Sequence, residues 1–170
     1  MPRTSIYREG FTLIEMIVVM SIISILAATM VVQMSATSAR AAINQADQLR
    51  RNLSHIQMLA LGWGVTLRLS TAADGKSYSV TCRGTNANTP CTTIGTVPAD
   101  PATGQSFTVI LTDNVLIAPT SNTVDFDSLG RPTSGGALIA TNPVRTYTLT
   151  GNGASATVTL QPVTGFAEAS

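Results

Sequence analysis

Residues 8–20 read REGFTLIEMIVVM, and this stretch decides how the chain is organised. It opens an apolar run from Thr12 to Val32 in which Glu15 is the one ionisable residue. A helix of roughly 20 apolar residues is long enough to cross a bilayer, so the run predicts a membrane-spanning helix. A carboxylate inside such a helix is costly and usually has a function, and Glu15 therefore needs an explanation.

Two ordinary explanations of the run fit the residues poorly. A secretory signal peptide has an apolar core of about 7 to 15 residues, shorter than this run and without an acid. Its best cleavage-like triplet, Ala39-Arg40-Ala41, lies well beyond the run. A plain signal anchor matches the length but gives Glu15 no role. Arg3 and Arg8 precede the run and favour a cytoplasmic amino terminus, although Glu9 weakens the contrast.

The hexapeptide Gly10-Phe11-Thr12-Leu13-Ile14-Glu15, between a short basic leader and the apolar run, resembles the processing motif of type IV prepilins and pseudopilins. The resemblance implies cleavage after Gly10 by the prepilin peptidase, which also N-methylates Phe11. It implies that Glu15 helps to seat a subunit by facing the amino terminus of a neighbour. The implied partners are other pilin or pseudopilin subunits, contacted through the helix, the prepilin peptidase, the inner-membrane assembly platform, and membrane lipid before assembly.

Elementary electrostatics agrees with that role for Glu15. Cleavage after Gly10 would create a positive amine at Phe11 near the membrane interface. Opposite charges attract strongly where water is scarce, so Glu15 of one subunit and the Phe11 amine of another would stabilise each other. The expected location is the bacterial inner membrane, single-pass, with a cytoplasmic amino terminus and a periplasmic head, and then a pilus or pseudopilus.

The helix is expected to continue beyond the apolar run, because no Gly or Pro occurs between Phe11 and Leu61. Gly62 and Gly64 are the predicted stops. Apolar residues recur every three or four positions, as in an amphipathic helix. These positions are Ala39, Ala42, Ile43, Ala46, Leu49, Leu53, Ile56 and Ala60.

From Gly64 onward the sequence predicts antiparallel strands, because apolar and polar residues alternate in short runs. Gly151-Asn152-Gly153 is a hairpin signal between two of them. The runs are Val65–Leu69, Tyr78–Cys82, Phe107–Leu111, Val124–Phe126, Leu138–Ile139, Tyr147–Leu149 and Ala156–Leu160. The predicted fold class is α+β: a long N-terminal helix, with a membrane-spanning half and an amphipathic half, packed on a C-terminal antiparallel β-sheet head. This is the pilin fold that the resemblance implies. The predicted segments are 1–10 leader, 11–34 transmembrane or filament-core helix, 35–62 amphipathic half, and 63–170 periplasmic head.

Cys82 and Cys91 stand at the start of the longest predicted loop, residues 84–105. There is no histidine near them in sequence and no CxxC pair, which argues against a zinc site. In an exported protein their spacing suggests a disulfide that closes a small loop. Two free thiols are the alternative.

Three blocks of the head are similar to the minor-pilin subfamily that contains GspH, FimT and FimU. They read LRRNLSHIQMLALGWGVTLRL, VDFDSLGRP and TYTLTGNGASATVTLQPVTG. Val32 stands where major pilins commonly have a proline, which argues against a major subunit. The predicted function is a minor pilin of a type IV pilus that primes or caps assembly. The alternatives are a type II secretion pseudopilin of the GspH kind and a DNA-uptake competence pilin.

The remaining polar residues predict no catalytic or cofactor site. Asp125-Phe126-Asp127 resembles the start of a calcium loop, but Gly136 stands where a bidentate glutamate is needed, so we expect a strand with both aspartates solvated. His55 has no acid–nucleophile motif beside it. The formal net charge is +1 and the arginines are scattered, so we expect no nucleic-acid partner. We expect no enzyme, no cofactor and no metal.

Overall fold

The computed structural model describes residues 12–141, 144–151 and 153–170, and the side chains of residues 29–39 are not described. The chain divides into two units, Met1–Thr37 and Ser38–Ser170. A single helix, α1 (Leu13–Trp63), contributes residues to both units. Gly10 and Phe11, the predicted cleavage and methylation residues, lie outside the described residues.

Local backbone contacts explain where α1 begins and where it ends. At its start, the Thr12 carbonyl oxygen accepts the backbone N–H groups of Glu15 and Met16 at 3.1 and 3.3 Å. After Trp63, Gly64 adopts φ +65°, a left-handed conformation that costs a glycine little, and the Val65 N–H returns to the Ala60 carbonyl at 3.2 Å. The predicted uninterrupted helix is confirmed, and it ends at Trp63, between the two glycines that were predicted to stop it.

The unit Ser38–Ser170 contains two antiparallel sheets. The first has six strands in the order β3-β2-β1-β5-β6-β7, and the second has four in the order β10-β9-β8-β4. In chain order the strands are β1 (Leu67–Thr71), β2 (Ser77–Cys82), β3 (Thr108–Ile110), β4 (Leu116–Ala118), β5 (Thr123–Phe126), β6 (Pro132–Ser134), β7 (Ala137–Leu138), β8 (Arg145–Gly151), β9 (Ala154–Leu160) and β10 (Ala167–Ala169).

The core of this unit forms where the second half of α1 packs against inward-facing residues of both sheets. Tyr78, Phe126 and Tyr147 are the largest fully buried side chains. The helix contributes a buried stripe at three- and four-residue steps, as the apolar pattern predicted. Its described members are Ala42, Ala46, Leu49, Leu53, Ile56 and Ala60. The predicted fold class, a helix packed on an antiparallel β head, is therefore confirmed.

Two details of the predicted pattern are wrong. Ile43 was placed on the buried stripe, but its side chain is 53% exposed while Ala42 is fully buried. Three strands, β4, β6 and β10, were not predicted, because each is only three residues long and has no clear alternation. The predicted hairpin is present, since Gly151 pairs with Ala154 at the end of the β8–β9 ladder.

Candidate functional site

Glu15 lies in the first turn of α1, and its side chain is exposed. Its backbone N–H points to the Thr12 hydroxyl oxygen at 3.4 Å, so Thr12 caps the helix. Thr12 and Glu15 have the spacing of a capping box, in which a glutamate or glutamine three residues after the cap satisfies the cap's own N–H. A carboxylate is also favoured here by the positive end of the helix dipole. The sequence motif Thr-x-x-Glu could have indicated this helix start, and the hydrogen bonds to Thr12 come from the Glu15 backbone.

The following turns of α1 present an apolar surface on all described sides. Leu13, Ile14 and Met20 are each more than two-thirds exposed, and the other large apolar residues to Leu26 are exposed as well. The polar groups in this stretch are satisfied within the helix, because the Ser21 and Ser24 hydroxyls donate to the Ile17 and Met20 carbonyls at 2.5 and 2.7 Å. Such a surface is suited to lipid or to other apolar helices.

Within the described residues, no helical stretch is both long and apolar enough to count as a membrane span.

Cys82 and Cys91 form a disulfide, with their Cα atoms 5.5 Å apart and both side chains fully buried. The pairing that their spacing suggested is therefore present. The Asn86 backbone N–H donates to the Cys91 carbonyl at 2.8 Å, and the Asn86 side chain donates to the Trp63 carbonyl at 2.8 Å. The small loop closed by the disulfide thus caps the end of α1, and the disulfide has a structural role.

The expectation that Asp125 and Asp127 are both solvated is wrong. Asp125 is buried on β5, where its carboxylate accepts two hydrogen bonds from the Arg68 guanidinium at 2.5 and 2.8 Å. The hydrogen bond from Asp125 raises the pKa of Arg68, while burial acts in the opposite direction. Since Arg68 takes up both carboxylate oxygens, Asp125 has little capacity left for a cation. No group of metal-ligating residues is found among the described residues.

The Asp127 carboxylate is likewise hydrogen-bonded, in this case by groups of its own turn. Its side chain accepts the backbone N–H groups of Leu129 and Arg131 at 3.0 and 2.8 Å, and the Arg131 guanidinium at 2.9 Å. Burial raises the pKa of Asp127, but these hydrogen bonds outweigh it and lower the pKa below its ordinary value. Asp127 is therefore a turn-stabilising residue.

His55 has a partner that the sequence did not indicate. Its Nε2 lies 2.9 Å from Asp100 Oδ1, and its ring packs against Phe107 with centroids 5.8 Å apart. Burial raises the pKa of Asp100, but the Ala102 N–H, the His55 side chain and the Thr103 hydroxyl together lower it. This pair attaches the long loop between β2 and β3 to α1.

Three of the scattered arginines are already paired with carboxylates. Arg50 lies 3.7 Å from Asp47, while Arg68 and Arg131 bind the two aspartates described above. Phosphate binding depends on several cationic side chains that share one face and remain free. These three arginines are therefore engaged within the chain and do not contribute free charges to such a face.

The amino-terminal residues match a known family model. Residues 7–31 match the prokaryotic N-terminal methylation motif. This is the motif of membrane-anchored, pilus-associated proteins, and its match contains the predicted residues Gly10, Phe11 and Glu15.

Two further comparisons concern whole chains. No curated protein matches the sequence. A crystal structure of the type IV minor pilin FimU from Pseudomonas aeruginosa is similar, with 14% identity and a TM-score of 0.48, over 76% of this chain and 86% of that chain. The finding that bears on function is therefore the N-terminal methylation motif that the chain carries over residues 7–31.

Proposed function

We propose that this chain is a minor pilin, a structural subunit that is cleaved after Gly10, N-methylated at Phe11 and built into a type IV pilus through the first half of α1. The observation that carries the proposal is the methylation motif over residues 7–31, which includes the exposed apolar residues Leu13 to Leu26 of α1, in a chain that also contains a β-rich head. Subunits of such a filament need an apolar segment outside the head's own core. Val32, in place of a proline, supports a minor rather than a major subunit.

In this proposal Glu15 has two separable roles. Its side chain, three residues after the cap Thr12, has the spacing to support the start of α1, and its exposed carboxylate pairs with the Phe11 amine of a neighbouring subunit. The first role needs a hydrogen-bonding side chain, which glutamine also supplies. The second role needs a negative charge, which glutamine lacks.

The intact mass of the membrane form tests the processing step. The expected mass is that of residues 11–170 plus one methyl group. A chain that retains residues 1–10 would contradict the proposal. A Gly10→Val variant should keep its leader, because the cleaved bond then no longer follows a glycine.

Incorporation of Glu15 variants tests the assembly step. Glu15→Ala and Glu15→Gln should both be cleaved and methylated, and both should be depleted in sheared filaments. Glu9→Ala is the matched control, because Glu9 leaves with the leader and its loss should not change the mature subunit. If Glu15→Gln enters filaments normally, the carboxylate acts only as a helix cap and the pairing is refuted.

A further inference from the structure

Gln57 joins two turns from different sheets to α1. Its Nε2 donates to the Gly130 carbonyl in the β5–β6 turn and to the Thr164 carbonyl in the β9–β10 turn, both at 2.9 Å. Gly130 and Gly165 both have positive φ and lie so close to Gln57 that a Cβ at either would press on it. The two turns are therefore held in fixed positions beside α1.

Large apolar side chains are exposed at the residues next to these contacts. Leu129 precedes Gly130, Val163 precedes Thr164, and Phe166 follows Gly165, with exposures of 60%, 52% and 59%. On α1, Met58 and Leu61 lie one residue and one turn beyond Gln57, with exposures of 63% and 59%. We refer to these five residues as the turn patch: Met58, Leu61, Leu129, Val163 and Phe166.

Val163 is exposed and also conformationally strained. It has φ +61°, a region that β-branched residues rarely adopt. The Thr164 N–H donates to the Pro162 carbonyl at 2.6 Å, so Val163 is the central residue of a γ-turn with positive φ. Such a turn is rare and strained. The exposed Val163 side chain gives the isolated head little compensation.

The turn patch contains no charge of its own. The nearest charged pair in the β5–β6 turn, Asp127 and Arg131, is satisfied internally at 2.8 Å. A complementary surface would accordingly be apolar and uncharged, since an unpaired charge placed against the patch would lose its water without gaining a partner.

The area of the patch limits what can occupy it. Five such side chains, each about half exposed, present on the order of 400 Å² of apolar surface. A stable interface buries about 800 Å² on each partner, so the patch is too small to hold two free heads together. It is large enough for a partner that is already held nearby, because tethering raises the effective concentration.

We propose that the turn patch docks against an uncharged apolar face on the head of a neighbouring pilin subunit, after the helices have brought the two heads together. The inference rests on the proposed filament function and adds to it a specific head-to-head contact. Gln57 is the positioning residue of this contact, because it fixes both turns that carry the exposed side chains.

Single cysteines in the full-length protein test the contact in filament-producing cells. The two native cysteines are joined and buried, so an introduced cysteine would be the one free thiol of the chain. Phe166→Cys and Leu129→Cys, labelled with a thiol-reactive photo-cross-linker that inserts into C–H bonds, should give adducts with another subunit on irradiation. Thr150→Cys is the control, because Thr150 is exposed but lies outside the turn patch. It is near the end of the β8–β9 ladder opposite to the Arg145–Leu160 pair, and the β9–β10 turn follows Leu160.

Val163→Asn separates docking from folding. Asparagine tolerates positive φ, so this variant should leave the unfolding midpoint unchanged or raise it. Its recovery in filaments, alone or with Phe166→Ser, should fall several-fold if the apolar contact exists. Recovery equal to that of the parent chain would refute the docking surface.

The two proposals fail in different ways. If the leader is retained and no variant enters a filament, the filament function is wrong. If the chain is processed and incorporated, but the patch cysteines react no more than Thr150→Cys, the filament function stands and the turn patch has no partner.

Discussion

Replacing Asp125 by asparagine should destabilise the head by about 2 kcal/mol, although the change preserves the shape of the side chain. In the folded protein the carboxylate accepts two hydrogen bonds from one guanidinium, and its side chain is 8% exposed. Charge-assisted hydrogen bonds contribute about 1.5 to 3 kcal/mol each, and asparagine can retain only one of the two as an acceptor. The Arg68 side chain is 26% exposed, so water offsets part of the loss.

The assay is urea unfolding of residues 38–170, which contain the whole described core. With a slope of roughly 2 kcal/mol per molar urea, the midpoint should fall by about 1 M. Glu168→Gln is the control, since Glu168 is exposed on β10 and its loss should change stability by less than about 0.5 kcal/mol. If Asp125→Asn is as mild as this control, the buried ion pair contributes nothing and the argument is refuted.

Further variants measure the interaction between Arg68 and Asp125 separately from the loss of either side chain. Arg68→Met should cost more than Asp125→Asn, about 3 kcal/mol, because it leaves a buried carboxylate without a partner. The double variant Arg68→Met, Asp125→Leu should be more stable than Arg68→Met alone, because no unpaired charge remains. With Asp125→Leu measured as the second single variant, strictly additive losses would show that the two residues do not interact.

Three further predictions concern other parts of the head. Replacing both Cys82 and Cys91 by alanine should lower the free energy of unfolding by about 2.5 to 3 kcal/mol, measured in urea, whereas an unchanged midpoint would mean that the disulfide does not restrict the unfolded chain. Gln57→Ala should lower the free energy of unfolding by about 1 to 2 kcal/mol, since it removes two hydrogen bonds of 2.9 Å. Amide hydrogen exchange should become faster in the two turns that Gln57 binds, while β1 stays protected. The head should lose stability as the pH falls below about 4. The pKa values of Asp100 and Asp127 are lower in the folded protein than in the unfolded chain, so their contribution is present above the unfolded pKa and is lost when they become protonated. An Asp100→Asn, Asp127→Asn variant should therefore show a flatter stability profile between pH 5 and 2, and an unchanged profile would contradict the assignment.

Features that depend on local spacing could be predicted from the sequence alone. Gly10 to Glu15 identify the processing motif, the absence of Gly and Pro predicts one long helix, and the alternating runs predict an antiparallel head. The spacing of Cys82 and Cys91 suggested a disulfide, and Gly151 and Gly153 marked a hairpin. Each of these signals lies within a few residues along the chain, where backbone geometry alone limits the outcome.

Only the tertiary structure decided which distant residues meet. His55 and Asp100 are 45 positions apart, Arg68 and Asp125 are 57 apart, and Gln57 reaches turns 73 and 107 positions away. The alternation of apolar and polar residues predicts that Asp125 lies on the outer face of β5. It does not predict that Arg68 lies opposite on β1, because strand order depends on the pairing of distant strands. Periodicity likewise placed Ile43 inward, although Ala42 takes the buried position, because the edge of a helical stripe is set by the elements packed against it. The turn patch has no sequence signature at all, since its members come from α1 and from two turns that are far apart in the chain and meet beside Gln57.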